Sequence, residues 1–202
     1  MNITIIIIIL TVATSLLAFN NAEAFYRLKF NAYLIHHNKQ FYRFFSYAFI
    51  HVDWMHLLVN MFVLFSFGAA VEQSFAFHFD NLAPLYFILL YVGGIMFSTL
   101  ASFNKHKHND FYNAVGASGA VAAVLFSAII MRPDMSIVFL FFPVPIPAYI
   151  FGVLYLVYSA YMAKRGSDNI GHDAHFWGAI FGVAFTILLR PEFIRTFFEN
   201  IF

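Results

Sequence analysis

Six runs along the chain are apolar on every face and free of Asp, Glu, Lys and Arg: residues 3–19, 54–71, 82–103, 115–131, 135–163 and 174–189. A helix crossing the hydrocarbon of a bilayer needs about 20 such residues, with a range of about 17 to 25. Strands of a membrane barrel would place a polar residue at every second position. These runs show no such alternation, so they predict helices, which satisfy their own backbone in lipid. The fifth run is long and interrupted by Pro143, Pro145 and Pro147, and the sixth is short. The first run has an alternative reading as a signal peptide, with Ala22-Glu23-Ala24 as a small-x-small cleavage site. No Lys or Arg precedes it, which favours a retained helix.

Between the first two runs lies a stretch, residues 20–53, rich in Phe and Tyr. Soluble linkers are not built this way. Aromatics interleaved with Lys and Arg predict amphipathic helices lying at the membrane interface. Composition agrees: of 202 residues, 62% are hydrophobic and only 10% are charged, against about 25% charged in a soluble domain. So few charges cannot cover a water-soluble surface, and soluble, disordered and nucleic-acid-binding classes are excluded. The net charge of +1 implies no polyanionic partner, and the absence of Cys removes disulfides, thiolate metal sites and a Cys nucleophile. The expected fold is all-α: one polytopic membrane domain over residues 1–202, with six transmembrane helices and a membrane-embedded first loop.

Polar residues inside such helices are costly and mark function. The second run carries His56 and Asn60 one turn apart, on one face. The fourth opens with Gly116-Ala117-Ser118-Gly119 and the sixth with Ala174-His175. Even-numbered helices run parallel, so His56, Asn60, Ser118 and His175 fall at similar shallow depth on one side. Small residues let the backbones approach: Gly116, Gly119, Ala120, Ala123 and Ser127 on the fourth run, Gly178 and Gly182 on the sixth. A Ser and a His brought together this way are the minimum for nucleophilic acyl transfer. No Asp or Glu lies inside the sixth run, and Asp173 just precedes it, so the expected arrangement is a dyad. Ser118 opens a helix, where free N–H groups favour negative charge, and His56 and Asn60 would add donors for an oxyanion.

Five stretches in this order resemble the rhomboid family of intramembrane serine proteases over the whole chain: Tyr42-Arg43-Phe44-Phe45; His51-x4-His56-x3-Asn60; Gly68-Ala69-Ala70-Val71-Glu72; Gly116-Ala117-Ser118-Gly119; and Ala174-His175-x2-Gly178-x3-Gly182. The resemblance implies Ser118 as nucleophile and His175 as general base. It implies His56, Asn60 and the Ser118 backbone as the oxyanion hole, and a first loop half-submerged beside the site. Arg43, Glu72 and the glycines take structural roles, and the fifth helix looks like a substrate gate. It implies no cofactor and no metal. The partners it implies are transmembrane protein substrates within the lipid bilayer, with no nucleic acid. A multi-pass cell (inner) membrane protein follows, with a cytoplasmic N-terminus and an extracytoplasmic site.

Two departures stand out. Family members often carry an aromatic residue four positions after the nucleophile, stacked on the imidazole; here it is Ala122. In the implied orientation Arg132, Arg190 and Arg195 face inside, while Arg27, Lys29, Lys39, Arg43, Lys105, Lys107, Lys164 and Arg165 face outside. That opposes the positive-inside rule. Within the site, His172 competes with His175 as base, and the glycines three and seven residues on favour His175. His51 is read as a loop-packing residue and Glu72 as part of a hydrogen-bond network. A rival metal site would gather His56, His172, Asp173 and His175, but no H-E-x-x-H motif is present. An inactive rhomboid-like binder would lack Ser118 or His175, and a small transporter would tend to show inverted repeats with polar groups at the midplane.

Overall fold

The computed structural model describes residues 2–139, 142–166 and 170–201. The first apolar run forms α1 (Ile3–Phe19). Three short helices follow in the aromatic stretch: α2 (Ala22–Leu28), α3 (Ala32–Asn38) and α4 (Arg43–Ser46). Asn2, Asn21 and Asn31 cap the first three, each side chain accepting a first-turn N–H. Then come α5 (Trp54–Phe79), started by the Asp53 side chain, and α6 (Ala83–His106). Both reach beyond the charge-free runs that predicted them, because Glu72 and Lys105 are accommodated within helices. α7 (Ser118–Met131) begins three residues later than the run containing it.

The fifth run departs most from expectation. Its prolines do not kink a long helix; its first part instead holds two antiparallel strands, β1 (Ser136–Phe139) paired with β2 (Phe142–Pro147). Residues 140 and 141 of that run lie outside the described residues. The helical part is α8 (Ala148–Arg165), starting directly after Pro147 and ending at Gly166 in the left-handed conformation. An apolar run reads alike as helix or buried strand, but alternate prolines in β2 cannot supply helical N–H donors. α9 (His172–Leu189) starts two residues earlier than expected, and an unforeseen α10 (Glu192–Glu199) follows.

α7 stands in the middle, packed by α5, α6 and α9, with α8 on α9 and α1 on α5. Small residues set these distances. A Cβ added at Gly178 would lie 2.1 Å from the Gly119 carbonyl oxygen, and one at Gly182 would lie 2.2 Å from that of Ala123. On the other side, a Cβ at Gly94 would meet Ala123 at 2.8 Å. The α7–α9 seam ends in a polar contact, Thr186 Oγ1 lying 2.8 Å from Ser127 Oγ.

The outer surface carries many apolar side chains. Trp54, Met55, Leu58, Val59 and Phe62 of α5 are exposed, as are Val153, Leu154 and Val157 of α8, while Thr4, Thr11 and Ser15 of α1 are buried. Among the described residues, two stretches combine length and hydropathy sufficient to cross a membrane on those grounds alone: Trp54–His106, which holds α5 and α6, and His172–Leu189. Ile3–Phe19 and Ser118–Met131 are apolar but shorter.

Two polar anchors complete the frame. Glu72 accepts the backbone N–H groups of Ile3 at 3.0 Å and Thr4 at 2.6 Å, fixing the start of α1 against the C-terminal third of α5. Arg43 is buried, and its guanidinium donates to the carbonyls of Tyr26 (2.9 Å) and Lys29 (2.7 Å) and to Gln40 Oε1 (2.6 Å). It thereby folds α2, α3 and α4 into one unit.

Candidate active site

Every residue of α7 from Gly119 to Met131 is buried, and Ser118, its first residue, alone is partly open. The segment entering α7 is fixed by the first loop. Ala114 and Phe30 exchange two backbone hydrogen bonds (2.9 and 3.1 Å), and Gly116 N–H donates to the Tyr47 carbonyl at 2.9 Å. Gly116 has φ +112°, a region open to glycine and strained for any other residue. Ala117 N–H donates to Nε2 of the fully buried His51 at 3.4 Å. Since that nitrogen accepts, Nδ1 carries the proton and donates to Ser15 Oγ (3.0 Å), which donates on to the Phe49 carbonyl (3.1 Å). Burial, and then the neighbouring His56, hold the His51 pKa down to about 3, so its ring stays neutral and its acceptor persists.

His56 sits in the first turn of α5, its backbone N–H on Asp53 Oδ1 at 2.7 Å. Its ring meets His51 edge-on at 4.8 Å. It also lies against the backbone just before Ser118: a Cβ at Gly116 would be 2.5 Å from His56 Cε1. Asn60 is buried one turn on, with Nδ2 donating to the His56 carbonyl at 2.8 Å. Nδ2 carries two hydrogens, so this bond commits one of them to its own helix.

α9 reaches the same place from the opposite side. A Cβ at Gly119 would be 3.3 Å from the Ala174 carbonyl, and Gly178 abuts Gly119. These contacts put the first turn of α9, with His175, beside the first turn of α7. Asp173 turns away: its carboxylate accepts from Ser102 Oγ on α6 and from Ala174 N–H (2.9 Å). His172 is buried, packed edge-on against Tyr158 (5.5 Å) and lying 5.9 Å from His175. The rival metal grouping of His56, His172, Asp173 and His175 is not among the clusters of described residues whose ligand atoms converge.

One neighbour was not foreseen. The ring of Tyr155, on α8, lies 6.3 Å from His175 at an interplanar angle of 31°. It is backed by Phe126 (5.4 Å) and Phe151 (5.7 Å). Ala122 is buried in the same apolar cluster. An aromatic side chain thus stands near the imidazole although position 122 is alanine; it comes from another helix. No spacing in the sequence ties residue 155 to residue 175, and the signal was tertiary.

Comparison with known proteins agrees with this architecture. The family model of the Rhomboid domain matches residues 38–192. The chain belongs to the rhomboid family. It is similar to the RHOMBOID-like protein 12, mitochondrial, of Arabidopsis thaliana, at 27% identity over 65% of this chain and 41% of that protein. It is also similar to the Presenilin-associated rhomboid-like protein A, mitochondrial, of Danio rerio, at 27% identity over 67% of this chain and 34% of that protein. The matched region thus spans less than half the length of either relative.

Proposed function

We propose that this rhomboid-family chain is an intramembrane serine endopeptidase that cleaves transmembrane segments near the membrane surface. The observation that carries the reading is the placement of Ser118. It is the one open residue of an otherwise buried central helix, with His56 packed against the turn before it and the His175 end of α9 packed beside it. In this reading His175 takes the Ser118 hydroxyl proton and the oxygen attacks a substrate carbonyl. The oxyanion forms in reach of the Ser118 N–H, the His56 ring and the second Asn60 Nδ2 hydrogen. His175 returns the proton to the leaving amine, and water then hydrolyses the acyl-enzyme.

The chain would cross the bilayer six times, through α1, α5, α6, α7, α8 and α9, with α2–α4 at the interface. α7 has 14 residues and is about 21 Å long, short of a hydrocarbon core of about 30 Å. With Arg132 at one surface, Ser118 would lie about 9 Å below the other. A cavity there brings water to the acyl-enzyme. α8 is the lateral gate: its buried residues are only Ala148, Gly152 and Ser159, a narrow seam of small side chains, and few buried contacts make an element easy to open. The substrate helix enters between α8 and α5 and unwinds to present its carbonyl. The membrane is taken as the cell (inner) membrane with a cytoplasmic N-terminus and the site opening outward; the two named relatives are mitochondrial.

The test is cleavage of a transmembrane-helix reporter in proteoliposomes. The native chain and His172→Ala should cleave, while Ser118→Ala and His175→Ala should not. The double variant should be no worse than either single one. Cleavage by Ser118→Ala would end the protease reading. A folded native chain that holds the reporter without cutting it would point to an inactive rhomboid-like binder.

A further inference from the structure

Three histidines outside the candidate active site converge from two separate segments. His36 and His37 end α3, and His108 lies in the connection from α6 to α7. One ligand nitrogen from each lies within 4.8 Å of the other two. The rings meet edge-on, at 4.7 Å for His36–His37, 5.5 Å for His36–His108 and 5.9 Å for His37–His108. The approach is built into the scaffold. Asn31, which starts α3, donates through Nδ2 to the Asp110 carbonyl (2.9 Å) and to Asn113 Oδ1 (3.0 Å). The Phe30–Ala114 backbone pair ties the same two segments. Tyr33 packs on the His37 ring at 4.3 Å and Phe103 on the His36 ring at 6.4 Å.

We propose that His36, His37 and His108 form a transition-metal site that takes Zn2+, or a divalent ion of similar ligand preference, and braces the first loop against the connection leading to Ser118. The donor chemistry selects the ion. Three imidazoles with no carboxylate in the group suit zinc, copper, nickel or cobalt, whereas calcium and magnesium require oxygen ligands. Around zinc, nitrogens sit about 2.0–2.1 Å from the metal, so neighbouring ligands stand about 3.3 Å apart in a tetrahedron. Closing to that distance needs only side-chain rotation, since His37 and His108 are exposed and His36 is half-buried. The fourth position stays open to water. Lys39, whose ammonium donates to the His36 carbonyl at 3.0 Å, adds positive charge beside the site. That charge weakens a cation's hold, so an ion bound there would exchange rather than be locked in. The site is separate from Ser118 and His175, and its existence does not depend on the protease reading. The sequence pointed to no metal because the two histidine segments meet only through the fold.

The experiment uses the full chain without an affinity tag, purified in detergent and stripped with a chelator. Calorimetric titration with ZnCl2 should give one ion per chain, and CoCl2 should give the absorption bands of a nitrogen-ligated ion. The thermal midpoint should rise with Zn2+. His108→Ala and His37→Gln should each weaken binding at least about tenfold, since even changes around the ligands typically cost about 10–100-fold. Both should abolish the Zn2+-dependent rise in midpoint, while their metal-free midpoints stay native. His106→Ala, whose ring stacks on Tyr112 at 3.7 Å, should bind as the native chain does. Absence of saturable binding at one ion per chain would overturn the proposal. So would binding undiminished in His108→Ala, or binding lost in His175→Ala, which would place the ion elsewhere.

Discussion

Gly178→Ala tests the contact that brings α9 to α7. The new methyl carbon would stand 2.1 Å from the Gly119 carbonyl oxygen, 2.8 Å from its carbon and 3.0 Å from its Cα, where ordinary contact begins at 3.4 Å. All three obstructing atoms are backbone, so no side chain can swing away. The helices must separate by about 1.3 Å at this turn to relieve the closest contact. Overpacking of this kind typically costs about 1–3 kcal/mol. His175 sits one turn earlier on α9 and would move with it, and a misplacement of about 1 Å at a reacting group can cost about 10²-fold in rate. The assay is paired: thermal midpoint in detergent and reporter cleavage in proteoliposomes, both on one preparation. Gly152→Ala on α8 is the control, because its methyl carbon would find Ile129 and Phe126 at an ordinary 3.5 Å. It should be neutral or slightly stabilising, given alanine's helix propensity. A Gly178→Ala protein with native midpoint and native rate would refute the close approach of α7 and α9.

Further outcomes follow from individual contacts. Tyr155→Phe should retain activity and Tyr155→Ala should lower turnover more than substrate affinity, measured as kcat against KM; equal activity of Tyr155→Ala and the native chain would refute a role at His175. Ala122→Tyr should lower the midpoint, since position 122 is buried in the cluster that Tyr155 lines; overpacking there costs about 1–3 kcal/mol. Burial holds the folded His51 pKa down to about 3, against an ordinary imidazole value of about 6.5. Its contribution is therefore complete above pH 6.5 and is lost as pH falls from 6.5 toward 3, with a slope of up to about 1.4 kcal/mol per pH unit. Midpoints recorded from pH 7 to 4 should fall less steeply for His51→Gln, and identical slopes would contradict this. Asn60→Ala should cut turnover by about 10²–10³-fold while slow labelling of Ser118 by a fluorophosphonate persists; a normal rate with a lowered midpoint would assign Asn60 to helix packing alone.

Much of the scaffold was readable because lipid imposes a simple rule on sequence. Charge-free runs located α1, α5, α6 and α9, and the aromatic stretch foretold short helices such as α3. The rule fails where hydropathy is blind to backbone chemistry. β1 and β2 are as apolar as the helix they precede, and only the alternate prolines distinguish them. At the site, His56, Ser118 and the His175 end of α9 could be grouped from topology and from the small residues at 116, 119, 178 and 182, because parallel helices share depth. Tyr155 beside His175, His51 under Ala117, and the meeting of His36, His37 and His108 depend on how helices rotate and how loops fold back. No periodicity encodes those.

The central claim is that Ser118 is a nucleophile activated by His175. It is tested most directly by treating the full chain in proteoliposomes with a fluorophosphonate and locating the adduct by peptide mass spectrometry. The adduct should fall on Ser118, be absent in Ser118→Ala, and form far more slowly in His175→Ala, with His172→Ala labelled as fast as the native chain. An adduct on another residue, or labelling of Ser118 at an undiminished rate without His175, would contradict the account.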